Sequence, residues 1–366
     1  MGRLTELAER RERTAAPSGI PPLHSGKNMI SNNVYLRRFV ACSVVVFSLG
    51  WLQVVCCNAV QSQTPKSEAG EFQLKEHAGG VQILRGDKLV ADYLTKSGSK
   101  PIVWPLIGPT GTKMTRDFPM VQDSKDEAHD HPHHRSLWFT HGEVNGVDFW
   151  LEGEGKGGIT EHIEFTEKSA GKTAIIGSRN LWKSPAGEKV LSDSRRFTFG
   201  ADESANWVDC EIELRATEGD VHFGDTKEGT FGVRVAESMK VDAKKGGKIV
   251  NSAGQTDSAA WGQPAEWVDY YGPVGSETLG VAILCHPSTF HHPNRWHVRT
   301  YGLFAANPFG EYHFTGAKEK TDGVRIKKGD KLVFRYRVIL HAGDEKVGRV
   351  AERYAEFAKS EYPALK

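Results

Sequence analysis

The sequence predicts a mainly β protein, a large antiparallel β-sandwich finished by a C-terminal helix, on three observations. Apolar and polar residues alternate with period two in run after run, which puts one side of a strand in a core and the other in solvent. Glycine and Asp/Asn turn residues separate the runs. No ten-residue helical spacing occurs until the C-terminal end.

In chain order, Phe72 and Leu74, then Val81 and Ile83, then Leu89, Ala91 and Tyr93 alternate with polar residues. Arg85-Gly86-Asp87-Lys88 interrupts them as a turn, which predicts a hairpin. The same alternation recurs at Ile163/Phe165, at Phe197/Phe199, at Val208/Cys210/Ile212/Leu214 and at Leu332/Phe334/Tyr336/Val338/Leu340. Val347, Val350, Ala351, Tyr354 and Phe357 then follow helical spacing after Asp344, which is expected as the N-cap. Residues 71–366 are therefore expected to form the sandwich, after a polar linker over 60–70. A division near the Lys- and Gly-rich stretch 240–254 is the weaker alternative. The chain shows no internal repeat and no low-complexity tract.

At 366 residues, 39% hydrophobic and 25% charged, the chain can bury a large core and is neither disordered nor a polytopic membrane protein. Residues 1–62 hold seven of the 47 Lys/Arg and three of the 46 Asp/Glu, so residues 63–366 carry about −3. No concentrated basic face exists for nucleic acid, which is excluded as a partner. One apolar run, from Phe39 through Val44, Val45, Val46, Phe47, Leu49, Trp51 and Leu52 to Cys57, follows Arg37 and Arg38 and precedes small residues. That order describes a secretory signal over 29–59 with cleavage near Ala59, and hence a periplasmic or extracellular protein. A retained membrane anchor is the alternative, since the run nears spanning length; Cys56 and Cys57 raise lipid attachment as a third. Residues 1–28 are unlike the start of a signal, whereas Met29 begins a conventional one, so 1–28 are expected to be untranslated or disordered. Only Cys210 and Cys285 remain beyond the leader, either as one disulfide or as two buried thiols.

Two histidine-rich segments could carry chemistry. The first is Asp130-His131-Pro132-His133-His134-Arg135-Ser136-Leu137-Trp138-Phe139-Thr140-His141, with His129 before it and Glu143 and Asp148 after. Imidazole is the usual proton-transfer group near neutral pH and the commonest metal ligand. In an extended chain His129, His131 and His133 would point one way and His134 the other. The bland alternative is a loop of hydrogen-bonded histidines at the sandwich rim, and no H-E-x-x-H or paired C-x-x-C spacing marks a zinc site. The second segment, His286-Pro287-Ser288 and His291-His292-Pro293-Asn294-Arg295-Trp296-His297, follows an apolar strand, where binding loops concentrate. Trp138, Trp150, Trp261, Trp267 and Trp296 lie near these polar groups; an indole face suits the C–H face of a sugar, though most tryptophans serve cores, so one or two are expected in a cleft. No G-x-S-x-G elbow, phosphate loop or dinucleotide fingerprint is present.

His131 through Phe139 with Asn145-Gly146-Val147-Asp148-Phe149-Trp150, and Trp296-His297-Val298-Arg299 with Tyr301 through Gly310, resemble a bacterial family of unknown function whose members are commonly labelled "methane oxygenase PmoA". The resemblance spans roughly Glu71 to Ala342. A methane monooxygenase membrane subunit needs several spanning helices and this chain has one apolar segment, so the label is a misnomer for it. The resemblance implies the family and not a reaction; by fold analogy alone, a large exported β-sandwich with His and acidic residues around an aromatic cleft looks like the galactose-mutarotase-type supersandwich, where a histidine acid and a carboxylate base act on a sugar ring.

The leading expectation is an exported protein acting on a carbohydrate or glycoside by acid–base chemistry. The acids or ligands would be His131, His133 or His134 with His286 or His297, and the base Glu143, Asp148, Glu237 or Asp269. Arg135, Trp138, Trp267, Trp296, Arg299 and Asn307 would bind substrate, with Arg135 and Arg299 holding a carboxylate or hydroxyls. One alternative is a non-catalytic carbohydrate-binding surface protein. The other is a zinc, copper or calcium site drawing on His131, His133 and His297.

Overall fold

The computed structural model describes residues 70–153, 155, 157–362 and 365. The leader, anchor and N-terminal extension expected over residues 1–59 lie outside the described residues. Among the described residues, no helix is long and apolar enough to cross a membrane.

In chain order the first strands are β1 (Phe72–His77), β2 (Gly80–Arg85), β3 (Lys88–Ser97), β4 (Lys100–Leu106), β5 (Leu137–His141), β6 (Ile159–Ser169), β7 (Ala174–Lys183), β8 (Lys189–Ala201) and β9 (Ala205–Arg215). Then come β10 (Val221–Phe223), β11 (Gly229–Arg234), β12 (Lys248–Asn251), β13 (Trp267–Val274), β14 (Glu277–Cys285), β15 (Arg295–Val298), β16 (Leu303–Asn307), β17 (Val324–Ile326) and β18 (Lys331–Ala342). Short helix α1 (Tyr312–Thr315) lies between β16 and β17, and α2 (Val350–Phe357) follows β18.

Two eight-stranded antiparallel sheets result. The first runs β1-β2-β3-β4-β5-β11-β16-β15 and the second β12-β13-β14-β18-β9-β8-β7-β6. The expected mainly β sandwich with a C-terminal helix is what the chain forms. Its inner faces are the apolar phase of the alternation. Leu214, Ile212, Cys210 and Val208 stand opposite Leu332, Phe334, Tyr336 and Val338 in register, and all are buried. The intervening polar phase makes cross-strand ion pairs, Arg335 with Glu211 and Arg337 with Asp209. The sheets join through aromatic contacts such as Phe139–Phe334 (5.5 Å) and Phe231–Tyr336 (4.5 Å), a geometry that adds to area burial.

The described residues fall in one compact unit. The stretch 240–254 lies on the crossing from β11 in the first sheet to β12 in the second. Cys210 and Cys285 are free and buried. The C-terminal helix begins later than its spacing predicts, because Arg349 sits at φ 53° and interrupts the right-handed path. Asp344 therefore caps the preceding turn, accepting from the Lys346 and Val347 N–H groups, and Val347 is exposed.

What matters for function is the outer face of the first sheet. Across it the register places Ile102, Trp138, Gly232, Ala305 and His297 in one row. Gly232 is required there by close approach: a Cβ on it would stand 2.7 Å from the Trp138 ring, so only glycine lets the indole lie on the sheet.

Candidate functional site on the outer face of the first sheet

Residues 127–134 are not extended. His131 adopts φ 46° and the His134 N–H donates to the His131 carbonyl, so the chain turns back on itself. Instead of pointing opposite ways, His131 and His134 come together. The rings of His134, His131 and Tyr301 lie within 7° of parallel at 4.8–6.5 Å, and His134 stacks on Trp138 at 5.4 Å. His133 meets His134 edge-on at 4.4 Å.

Two buried arginines hold this turn in place. Arg116, fully buried, donates to the carbonyls of Phe118, Ala128, Asp130 and His131 and to Asp130 Oδ1 at 2.6 Å. Arg234, at the end of β11, reaches the same Asp130 oxygen at 3.1 Å. Burial alone would raise the Asp130 carboxyl; Arg234, with the hydrogen bonds from Arg116 and His131, outweighs it and holds the group below the usual range. Asp130 Oδ2 lies 3.1 Å from His131 Nδ1. Arg234 also donates to His134 Nδ1 at 3.3 Å. A guanidinium cannot accept, so neutral His134 carries its hydrogen on Nε2.

His297, on β15, is 2% exposed. The Trp261 indole N–H donates to its Nδ1 at 3.0 Å, and an indole only donates, so the neutral ring presents Nε2–H. That nitrogen faces Glu228 Oε2 at 4.0 Å, while Lys227 holds the other oxygen of the carboxylate at 2.7 Å. Burial, reinforced by Arg299, pushes His297 down to about 3. His133 and His141 are each lowered to about 4, chiefly by burial. His297 is therefore a neutral hydrogen-bond donor at physiological pH.

These histidines make the fold acid-sensitive. Their folded values lie below the ordinary 6.5, so between about pH 6.5 and 4 the unfolded chain binds protons that the folded chain refuses, and stability falls as pH falls. At pH 4.5 we expect the two buried rings, His141 and His297, to cost on the order of 2 kcal/mol each. The check is the urea midpoint measured between pH 7 and 4.5, which should decline steadily.

Beyond His133 lies a second charged cluster. Lys100, 1% exposed, pairs with Glu152, whose carboxylate also takes Arg135 at 2.7–3.0 Å. Arg135, expected to bind substrate, is thereby engaged, with Ser97 as a further acceptor. Gly98 (φ 62°) in the β3–β4 turn lies against this pair; a Cβ there would fall 2.2 Å from the Glu152 carboxylate.

The other expected site residues are scattered. His286 lies on the far face of the second sheet, bonded to Ser288 and packed on Phe357 and Tyr362. Asp269 is buried on that same face against His341 at 3.1 Å, and Trp267 packs beneath α2, so neither can meet His131. Trp296 points inward, its N–H on the Ala265 carbonyl, because strand parity sends it opposite to His297. Asn307 is a brace: it accepts from Phe309 and Gly310 N–H and donates to the Thr226 carbonyl beside Glu228. Glu143 stands near Lys320, Asp148 caps the Trp150 and Leu151 N–H groups, and Glu237 pairs with Lys240. Trp138 and Trp150 form a buried floor rather than an exposed platform, leaving Trp261 as the one of the five in the cleft wall. His131, His133 and His297 are not gathered round one point in this structure. Among the described residues no group of three His, Cys, Asp or Glu is placed to hold an ion.

Sequence reasoning missed Glu228, Arg234 and Arg116. A signal existed for the first two: Glu228, Thr230, Gly232 and Arg234 share one parity in a strand whose other phase, Phe231 and Val233, is apolar.

The fold and the cleft define a class: a two-sheet antiparallel β-sandwich carrying a polar, aromatic-walled site on the outer face of one sheet. Within that class the chain belongs to a family of unknown function (DUF6807), whose model matches residues 80–355. No curated protein matches the sequence. Among solved structures it is similar to a galactose mutarotase-like protein from Lactobacillus casei, at 9% identity and TM-score 0.35, covering 74% of this chain and 100% of that one. It is also similar to a putative aldose 1-epimerase from Escherichia coli K12, at 11% identity and TM-score 0.32, covering 75% and 100%. A GH36 alpha-galactosidase from Geobacillus stearothermophilus is similar at 8% identity and TM-score 0.36, covering 78% and 42%. The sandwich itself is defined by its own two sheets.

Proposed function

We propose that this protein acts outside the cytoplasm on a carbohydrate, using Glu228 as base toward a sugar hydroxyl and neutral His297 as the hydrogen-bond donor that steadies the developing oxyanion. The observation that carries this is the 4.0 Å gap between His297 Nε2 and Glu228 Oε2. It is too long for a hydrogen bond and short enough for one hydroxyl oxygen to touch both, accepting from the imidazole and donating to the carboxylate. Trp261 is a positioning residue that fixes the tautomer. The half-buried faces of Trp261 and Tyr301 supply flat apolar surface for a sugar ring. Export rests on the apolar segment within residues 29–59.

The test is a panel of free monosaccharides and glycosides incubated with the protein from about Gln63 onward, read by ligand-observed NMR for binding and for anomeric exchange or bond cleavage. Binding with accelerated exchange or cleavage is the expected result. No binding of any sugar at millimolar concentration would sink the proposal. A second reading, binding without turnover, is favoured by the 2% exposure of His297; it predicts binding with no change in exchange or cleavage rate.

A further inference from the structure

Among the described residues, the cations around this cleft are matched to carboxylates with one exception. Asp130 serves Arg116 and Arg234, Glu152 serves Lys100 and Arg135, Glu228 serves Lys227, and Glu311 serves Arg295. Arg299 has no hydrogen-bond or ion-pair partner for its guanidinium among the described residues. It is half-buried, and its guanidinium lies over two aromatic rings, Trp261 at 5.9 Å and Tyr301 at 5.5 Å. Its backbone is fixed in the β15–β16 turn: the Arg299 N–H donates to the Leu303 carbonyl, and the Tyr270 hydroxyl donates to the Arg299 carbonyl. An open depression of about 250 Å³, lined by Ser258, Trp261, Val298, Arg299 and Thr300, adjoins it.

A guanidinium flanked by ring faces keeps its in-plane N–H fork free, and that fork matches a carboxylate through two parallel hydrogen bonds. Withdrawing such a cation from water without a counter-charge is costly unless a ligand supplies the charge. Arg299 and His297 meet the same indole: the Trp261 N–H donates to His297 Nδ1 at 3.0 Å, and the Arg299 guanidinium lies over the Trp261 ring at 5.9 Å, so one ligand can reach both.

We infer that the ligand of this cleft is an acidic sugar whose carboxylate is held by Arg299 while one of its hydroxyls lies between His297 and Glu228. The inference rests on the carbohydrate reading above and narrows it to uronic acids and glycosides that bear them. One guanidinium, with no second free cation beside it among the described residues, suits a monoanionic planar carboxylate better than a phosphate dianion.

The test compares binding of glucuronate and galacturonate with glucose, galactose and glucose 6-phosphate, using calorimetry and ligand-observed NMR on the protein from about Gln63 onward. The uronates should bind about tenfold or more tightly than the neutral sugars, the weight of a charge-assisted hydrogen-bond pair. Arg299→Gln should abolish that preference, bringing uronate affinity down to that of the neutral sugars measured on the same variant. Arg299→Lys, which lacks the fork, should restore at most part of it. Equal affinity for uronates and neutral sugars overturns the inference and leaves the carbohydrate reading standing. Preference for the sugar phosphate overturns the carboxylate assignment. Failure of every sugar to bind overturns both. An unchanged melting temperature for Arg299→Gln separates lost recognition from lost fold.

Discussion

Glu228→Gln is expected to lower kcat on a turned-over sugar by about 10²–10⁴-fold with little change in sugar affinity, the loss that follows removal of a positioned base. The amide keeps the shape of the carboxylate and can still accept from Lys227, so the fold should persist. His297→Asn should give a loss of similar size, since the carbonyl-and-amide side chain cannot place an N–H where Nε2–H stands. The pH dependence distinguishes this arrangement from an ordinary imidazolium acid. With His297 pushed down to about 3, it contributes no inflection near 6.5, and kcat should be flat through the ordinary histidine range. A wild-type profile that falls with an apparent value near 6.5 and loses that limb in His297→Asn would show that the ring works as a cation, and the assignment of a neutral donor would be wrong. Steady-state kinetics on the wild type and both variants between pH 5 and 8.5 supply all three answers.

Glu152→Ala should produce the largest loss of stability. Among the described residues Glu152 is the only carboxylate paired with Lys100, whose ammonium is almost wholly out of water, and with Arg135. Burial alone would raise its carboxyl, but Lys100 and Arg135 outweigh this and hold it below the usual range. Removing the carboxylate leaves a buried cation uncompensated, which costs about 3–5 kcal/mol, or a melting drop of roughly 6–15 °C for a domain of this size. Adding Lys100→Met to Glu152→Ala should recover much of the loss, because deleting both charges is cheaper than orphaning one. Since the folded carboxyl is depressed, its contribution is present above the unfolded value near 4.3 and disappears as pH falls through the folded value, below the window in which the histidines act. Calorimetric melting of the single and double variants at pH 7 is the measurement.

The fold was legible because its longest strands keep strict parity. Leu332 through Leu340 and Val208 through Leu214 announce a two-sided sheet, and they pair in the register their apolar phases require. The site was legible only in part. His131, His134 and His297 stood out by residue type, and the structure gathers them on one face. Their partners did not stand out, for a physical reason: Arg116, Arg234 and Glu228 act through contacts spanning fourteen to more than a hundred residues, and spacing along the chain carries no trace of such distances. His286 and Asp269 misled for the converse reason. Both have the right chemistry near a strand end, but they sit on or just past strands of the second sheet and lie on its outer face, Asp269 against His341 and His286 against Phe357 of α2.

The row Ile102–Trp138–Gly232–Ala305–His297 also bears on how the protein comes to be. Adjacent members of that row are separated in sequence by 36, 94, 73 and 8 residues, so the floor exists only after β4, β5, β11, β16 and β15 have all found one another. Pairings of such long range close large loops before they are rewarded, and they are slow to form. Recognition is consequently a property of the completed chain: no nascent or proteolytic fragment lacking any one of these five strands can carry it, and ligand binding is a late reporter of folding, following the appearance of most β structure.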